Sequence, residues 1–151
     1  STDGAELMPK GFAATADRDP CPCGGGLYDR CCAPLHQGEQ RALTAEQLMR
    51  SRYSAFARGE VGYLIATHPE PHVQVSQRRR ELQRSCRQTR WQGLEIIAVS
   101  GGGCRDLDGT VQFEARYQGG VLRETSLFQR RDGQPEGDWL YIRASDLIAE
   151  G

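Results

Sequence analysis

Four cysteines fall within one short stretch of this chain, Cys21-Pro22-Cys23-Gly24-Gly25-Gly26-Leu27-Tyr28-Asp29-Arg30-Cys31-Cys32. Four thiolates enclose zinc in a closed tetrahedral shell, which marks a structural site rather than a catalytic one. The spacing suits that chemistry. Cys21 and Cys23 sit on one tight turn, the glycines let the loop fold back, and Cys31 with Cys32 complete the set. His36 is a reserve ligand in place of Cys32. A disulfide framework fits less well, because adjacent Cys31 and Cys32 can pair only by straining the peptide between them. Cys86 and Cys104 stand apart and are expected to be small buried thiols.

Two further features could carry chemistry. Arg78, Arg79, Arg80, Arg84, Arg87 and Arg90 face only Glu81 within their stretch, a run that could contact RNA, a ribosome or an acidic partner. Aromatic residues for base stacking are absent from that run until Trp91, so a solvated helix face is the plainer reading. His68 is the best acid–base residue by type, yet no partner is visible for it, and ending a helix before Pro69 explains it more simply. No Ser/His/Asp set, phosphate loop or carboxylate pair stands out, so the sequence does not argue for an enzyme.

These residues need elements to position them. Thr44 with Gln47 has the pattern of a helix-opening capping box, and Leu48, Met49, Arg52/Tyr53 and Phe56 follow at helical spacing up to Gly59. A short helix is expected over 60–67, with Val61, Leu64 and Ile65 inward, stopped by Pro69 and Pro71. Ser76 is expected to cap a third helix over 77–87 with Leu82 and Cys86 inward. From Trp91 the period becomes two. Strands are expected over 91–99, 110–118, 121–130 and 139–144, with a hairpin turn at Gly119-Gly120. Val111, Phe113, Ala115 and Tyr117 alternate with polar residues, as a half-buried antiparallel strand requires. Helices first and a meander second give the class α+β.

Composition bounds the rest. Leu, Ile, Val and Phe number 28, and only four of them lie in residues 1–40. The later residues can build a core; residues 20–38 cannot, and metal takes its place there, since zinc supplies ~10–16 kcal/mol of folding free energy in small modules. Residues 1–19 read as a flexible tail without an apolar run of the length a secretion signal needs, so a cytoplasmic location is expected. No membrane-spanning run is present, and the formal net charge of −1 argues against a general polyanion binder.

The Cys-Pro-Cys-Gly-Gly-Gly…Cys-Cys segment resembles the SEC-C motif, the zinc module at the tail of the SecA translocase motor. Leu48-Met49-Arg50-Ser51-Arg52-Tyr53-Ser54-Ala55-Phe56-Ala57-Arg58-Gly59 looks like the signature of the YchJ-type bacterial family. The resemblance covers residues from about Pro20 to the end. It implies a SEC-C knuckle over 20–38 and, over 39–151, a nuclear transport factor 2-like domain, helices packed on a curved antiparallel sheet shaped like a cone. Departures exist: the loop between the cysteine pairs is one residue shorter than usual, the Trp that commonly precedes His68 is missing, and Arg123 stands where relatives have His.

The resemblance further implies a structural-zinc adaptor that contacts a protein or ribosome through Leu27, Tyr28, Arg30 and Leu35. The alternative is a small-molecule-binding protein or enzyme that uses a pocket inside the cone. Tyr53, His68, Glu114, Arg116, Glu124 and Arg143 are its expected polar groups, and Trp91, Phe113, Tyr117, Phe128, Trp139 and Tyr141 its expected walls. On β alternation Phe113 should face inward and Glu114 outward.

Overall fold

A computed structural model describes residues 18–150. All but the last two residues of the expected tail lie outside that range. A 3-10 turn (Tyr28–Arg30) and α1 (Ala33–His36) follow the first cysteines; then come α2 (Ala45–Arg58), α3 (Val61–Ala66) and α4 (Val75–Gln88). The strands are β1 (Trp91–Gly101), β2 (Asp108–Tyr117), β3 (Gly120–Arg130) and β4 (Trp139–Glu150), paired antiparallel in the order β1-β2-β3-β4. Among the described residues no helix is long and apolar enough to cross a membrane.

α2 is the organising element. The Thr44 hydroxyl accepts the Gln47 N–H at 3.1 Å, while the Gln47 side chain accepts the Leu43 N–H at 2.7 Å, one residue before the cap. Gly59 ends the helix in the left-handed region, φ 79°. Ala45, Leu48, Met49 and Tyr53 bury one broad face against Val111, Phe113, Ala115, Phe128 and Trp139 of the sheet. Irregular pairing at Trp91/Gly93, Ile96/Ala98, Thr125/Ser126 and Leu127/Phe128 curls the sheet around the helices.

Several expectations need correction. α4 starts at Val75 with Gln74 at its N-cap, so Ser76 does not cap it, and its buried residue is Arg78 while Leu82 and Cys86 are half-buried. Ile65 is half-buried, and Cys104 is exposed. The hairpin turn is Gln118-Gly119, because Tyr117 pairs with Gly120 and Gly119 takes φ 109°. β4 runs six residues past Ala144, pairing Val121–Thr125 of β3, whose backbone groups would otherwise lack partners on that side.

Candidate functional site: a four-cysteine knuckle against a cone cavity

The knuckle is built by short-range hydrogen bonds. Pro20 and Leu27 form a one-bridge ladder, the Cys21 N–H donates to Gly26 O at 2.6 Å, and the Gly24 N–H donates to Cys21 O at 3.0 Å. The Cys31 N–H donates to Tyr28 O at 3.1 Å, which carries the chain into Cys32 and α1. The result brings Cys21, Cys23, Cys31 and Cys32 together with all four sulfurs within 4.8 Å of one another, a group that could hold a metal ion. Sγ separations are 3.5 Å for Cys23–Cys31, 3.8 Å for Cys32–Cys23 and 3.9 Å for Cys31–Cys32. Gly25 closes over the cluster: a Cβ there would lie 2.8 Å from Cys31 Sγ and 3.3 Å from Cys23 Sγ.

Proton affinities in the cluster diverge. Hydrogen bonds from Cys23 and then Cys32 hold the Cys21 thiol far below its ordinary range. Burial pushes the Cys31 thiol up to about 12, and hydrogen bonds with Cys21 and Cys23 push Cys32 up strongly. Four thiolates this close repel, and a bound divalent cation is what lets all of them ionise.

A second layer bolts the knuckle to α2. Ser54 Oγ lies 3.3 Å from Cys21 Sγ, Arg50 Nη1 donates to Cys23 O at 2.9 Å, and the Arg58 guanidinium stacks 3.6 Å from the Tyr28 ring centroid. His36, the reserve ligand, is outside the sulfur group. Its Nε2 donates at 2.8 Å to Ser51 O, an acceptor only, and its Nδ1 lies 2.7 Å from Tyr28 OH. Both ring nitrogens are spent on packing. Tyr28 and Leu35 are buried as well, so of the four expected contact residues only Leu27 and Arg30 are exposed.

The opposite side of α2 lines a cavity of about 300 Å³ inside the cone. Met49, Arg52, Tyr53 and Phe56 form its helical wall, and Trp91, Phe113, Leu122, Phe128 and Tyr141 are among its sheet residues. Glu124 pairs with Phe113 across β2 and β3, so the two share the inner face, while Glu114 pairs with Arg123 by a 2.8 Å ion contact. Glu124 Oε2 accepts from Tyr141 OH at 3.0 Å and from Ser126 Oγ.

Of the expected pocket residues, Tyr53, Trp91, Phe113, Glu124, Phe128 and Tyr141 line the cavity. Tyr117, His68, Trp139, Glu114, Arg116 and Arg143 do not. Tyr117 packs edge-on behind Trp91, and the Trp139 indole N–H donates to Leu43 O. His68 donates from Nδ1 to the Tyr141 carbonyl at 2.8 Å and lies 3.7 Å from Glu70. Burial lowers its pKa, which suits a neutral structural imidazole.

Sequence reasoning missed Arg52 and Ser126. Arg52 is 9% exposed; its Nη1 donates to Leu64 O at 3.0 Å and Thr67 Oγ1 at 2.6 Å, and its guanidinium sits 4.9 Å from the Tyr141 ring centroid. Burial brings it down to about 10, which still leaves it charged at neutral pH. The signal was an arginine standing in the apolar rhythm of α2.

The arginine run separates as well. Arg78 is 6% exposed, lies 3.1 Å from Glu70 and donates to His68 O, so it belongs to the core and not to a surface patch. Arg79, Arg80, Arg84, Arg87 and Arg90 are exposed.

Comparison with known proteins agrees with this architecture. The model of the YchJ middle NTF2-like domain matches residues 44–144. The chain is 43% identical to UPF0225 protein SCO1677 of Streptomyces coelicolor over 81% of its own length and 91% of the relative's. It is 40% identical to UPF0225 protein RSc0270 of Ralstonia nicotianae, covering 89% and 96% of the two chains. Among solved structures, a SEC-C motif containing protein from Psychrobacter arcticus superposes with a TM-score of 0.70 at 24% identity, over 90% of this chain and 87% of that one. RPA3114, a SEC-C motif containing protein from Rhodopseudomonas palustris, gives 0.68 at 28% identity, over 86% and 100%.

Proposed function

This chain belongs to the YchJ family, and from that premise we propose that it is a zinc-clamped binding protein whose cone cavity receives a small molecule. Zinc is the metal that the donor set suits. A tetrahedral shell with zinc–sulfur bonds near 2.3 Å has sulfur–sulfur edges of about 3.8 Å, and three separations in the cluster are 3.5, 3.8 and 3.9 Å. Cys21, Cys23, Cys31 and Cys32 would hold it, and with four protein ligands its role is to fix the knuckle and, through Ser54 and Arg50, the position of α2. Such thiols persist in a reducing compartment, which supports a cytoplasmic location.

The observation that carries the binding role is the cavity itself. It combines aromatic walls with Arg52 and a hydrogen-bonded Glu124–Ser126–Tyr141 cluster, of which Ser126 is buried and the other two half-buried. This is the pattern of an apolar pocket with a few orienting polar groups. A screen of small aromatic compounds against the full chain, followed by NMR, tests it. Compounds that shift the Trp91 indole signal should lose that effect in Ala115→Phe, where an added ring fills the cavity. Absence of any such compound contradicts the proposal.

A second reading, contact with a protein at the knuckle, has support from Leu27, which is 44% exposed beside exposed Arg30. Leu27→Asp should weaken any such complex without loss of metal, and unchanged affinity would count against it.

A further inference from the structure

The polar groups that line the cavity are only half used. Arg52 Nη1 makes two hydrogen bonds, whereas Nε and Nη2 make none among the described residues and are not sealed in by protein. Glu124 has the complementary vacancy. Its Oε2 accepts twice, from Ser126 and Tyr141, and its Oε1 accepts nothing among the described residues. Arg52 and Glu124 are not joined as an ion pair among those residues, although the Glu124 charge acts on Arg52. The Trp91 indole N–H also lacks a partner, but its nitrogen is sealed within the protein, so the spare groups that face the cavity are those of Arg52 and Glu124. The cavity therefore offers spare donors and a spare acceptor around one space.

Charge decides what can enter. One buried cation and one carboxylate sum to zero across the cavity, so a ligand with net charge would leave an uncompensated charge in a largely apolar site, which is costly. A neutral ligand carrying an acceptor and a donor side by side satisfies both residues. Shape narrows it further. Tyr53, Trp91, Phe113, Phe128 and Tyr141 present ring faces and edges, with Tyr53–Trp91 and Phe128–Tyr141 already edge-to-face at 5.7 and 5.8 Å. A volume of about 300 Å³ holds on the order of ten water-sized groups.

We propose that the cone cavity takes a small, flat, uncharged molecule whose polar edge places a hydrogen-bond acceptor toward Arg52 and a donor toward Glu124, an aromatic amide or lactam being the simplest chemistry. This rests on reading the cavity as a ligand site, and the test separates the two statements.

Benzamide, benzoate and benzylamine share one ring and differ in the charge of the polar end. Each is titrated into the full metal-loaded chain and followed at the two indole N–H signals. Benzamide should shift Trp91 saturably and leave Trp139, bonded to Leu43 outside the cavity, in place. Benzoate and protonated benzylamine should bind at least tenfold more weakly. In Glu124→Gln, with fold checked by circular dichroism, Arg52 stands alone and the preference should reverse toward benzoate. Equal or tighter binding of either ion by the wild type, lost in Ala115→Phe, overturns the neutral-ligand proposal and leaves the cavity as a site. Binding of none of the three, or binding that survives Ala115→Phe unchanged, overturns the cavity reading and this proposal with it.

Discussion

Ser54 Oγ lies 3.3 Å from Cys21 Sγ, and this contact joins the four-cysteine knuckle to the helix that walls the cavity. Ser54 and Arg50 occupy one side of α2, while Met49, Arg52, Tyr53 and Phe56 occupy the other. The knuckle's buried Cys21, Cys23, Tyr28, Cys32 and Ala33 also belong to the same apolar cluster as Leu48, Phe113 and Trp139. Order in the cysteine loop is thus transmitted to the cone through one helix.

Removing the Ser54 hydroxyl should therefore loosen the sulfur cluster. Ser54 is fully buried, and loss of a group that supports a metal ligand typically lowers metal affinity by roughly 10–100-fold. Competition against a chromophoric chelator should place Ser54→Ala within that range. Wild-type affinity in the variant would show that the contact is incidental.

Gly25→Ala should damage the same site by a different route. The new Cβ would fall 2.8 Å from Cys31 Sγ, so sulfur must move. Gly62→Ala is the matched control, because a Cβ there meets nothing within 4 Å in α3. It should leave metal affinity unchanged and raise stability by about 0.5–1 kcal/mol. Denaturant unfolding and chelator competition on both variants check the pair.

Tyr141→Phe should destabilise the cone by about 0.5–1.5 kcal/mol by removing one of the two hydrogen bonds to the half-buried Glu124 carboxylate. The hydroxyl donates to Glu124 Oε2 at 3.0 Å, and burial pushes the Tyr141 pKa well up, so it remains a donor throughout the neutral range. Equilibrium unfolding in urea measures the cost; a loss below half a kcal/mol would contradict the assigned bond.

His68 predicts a pH dependence. Burial depresses its folded pKa, with Tyr141 O and Glu70 opposing and Arg52 and Arg78 assisting. Its unfolded value is about 6.5, so the unfolded chain binds the extra proton first as pH falls. The stabilisation is fully present above about pH 6.5 and is lost as pH drops through the folded pKa below it. His68→Gln should flatten the fall in unfolding free energy between roughly pH 6.5 and 5, and the His68 ring should titrate below 6.5 by NMR. A midpoint above 6.5 would reverse the sign and defeat the assignment.

Much of this organisation is legible in the residues. The Thr44 cap, the Gly59 stop and the Val111/Phe113/Ala115 alternation each follow from local chemistry, and they appear where local chemistry puts them. What is hidden depends on contacts distant in sequence. Arg78 and Arg52 look like surface charges until Glu70, Leu64 and Thr67 fold onto them. The second half of β4 mixes Ser145, Asp146 and Glu150 with Leu147, Ile148 and Ala149 without strict alternation, and it becomes a strand because β3 offers it a ladder. Glu124, an expected pocket residue, does turn inward, and its register with Phe113 is what puts it there. His36 resembles a ligand by type and spacing, yet Tyr28 and Ser51 take both of its nitrogens.

The central claim is that metal held by four cysteines organises the knuckle. Metal content per chain, measured by elemental mass spectrometry on wild type and on Cys21→Ser/Cys32→Ser purified side by side, tests it most directly. The account predicts one zinc per wild-type chain and its loss in the variant, with the cone's strands retained by circular dichroism. A wild type without bound metal, or a variant with the same zinc content, would contradict it.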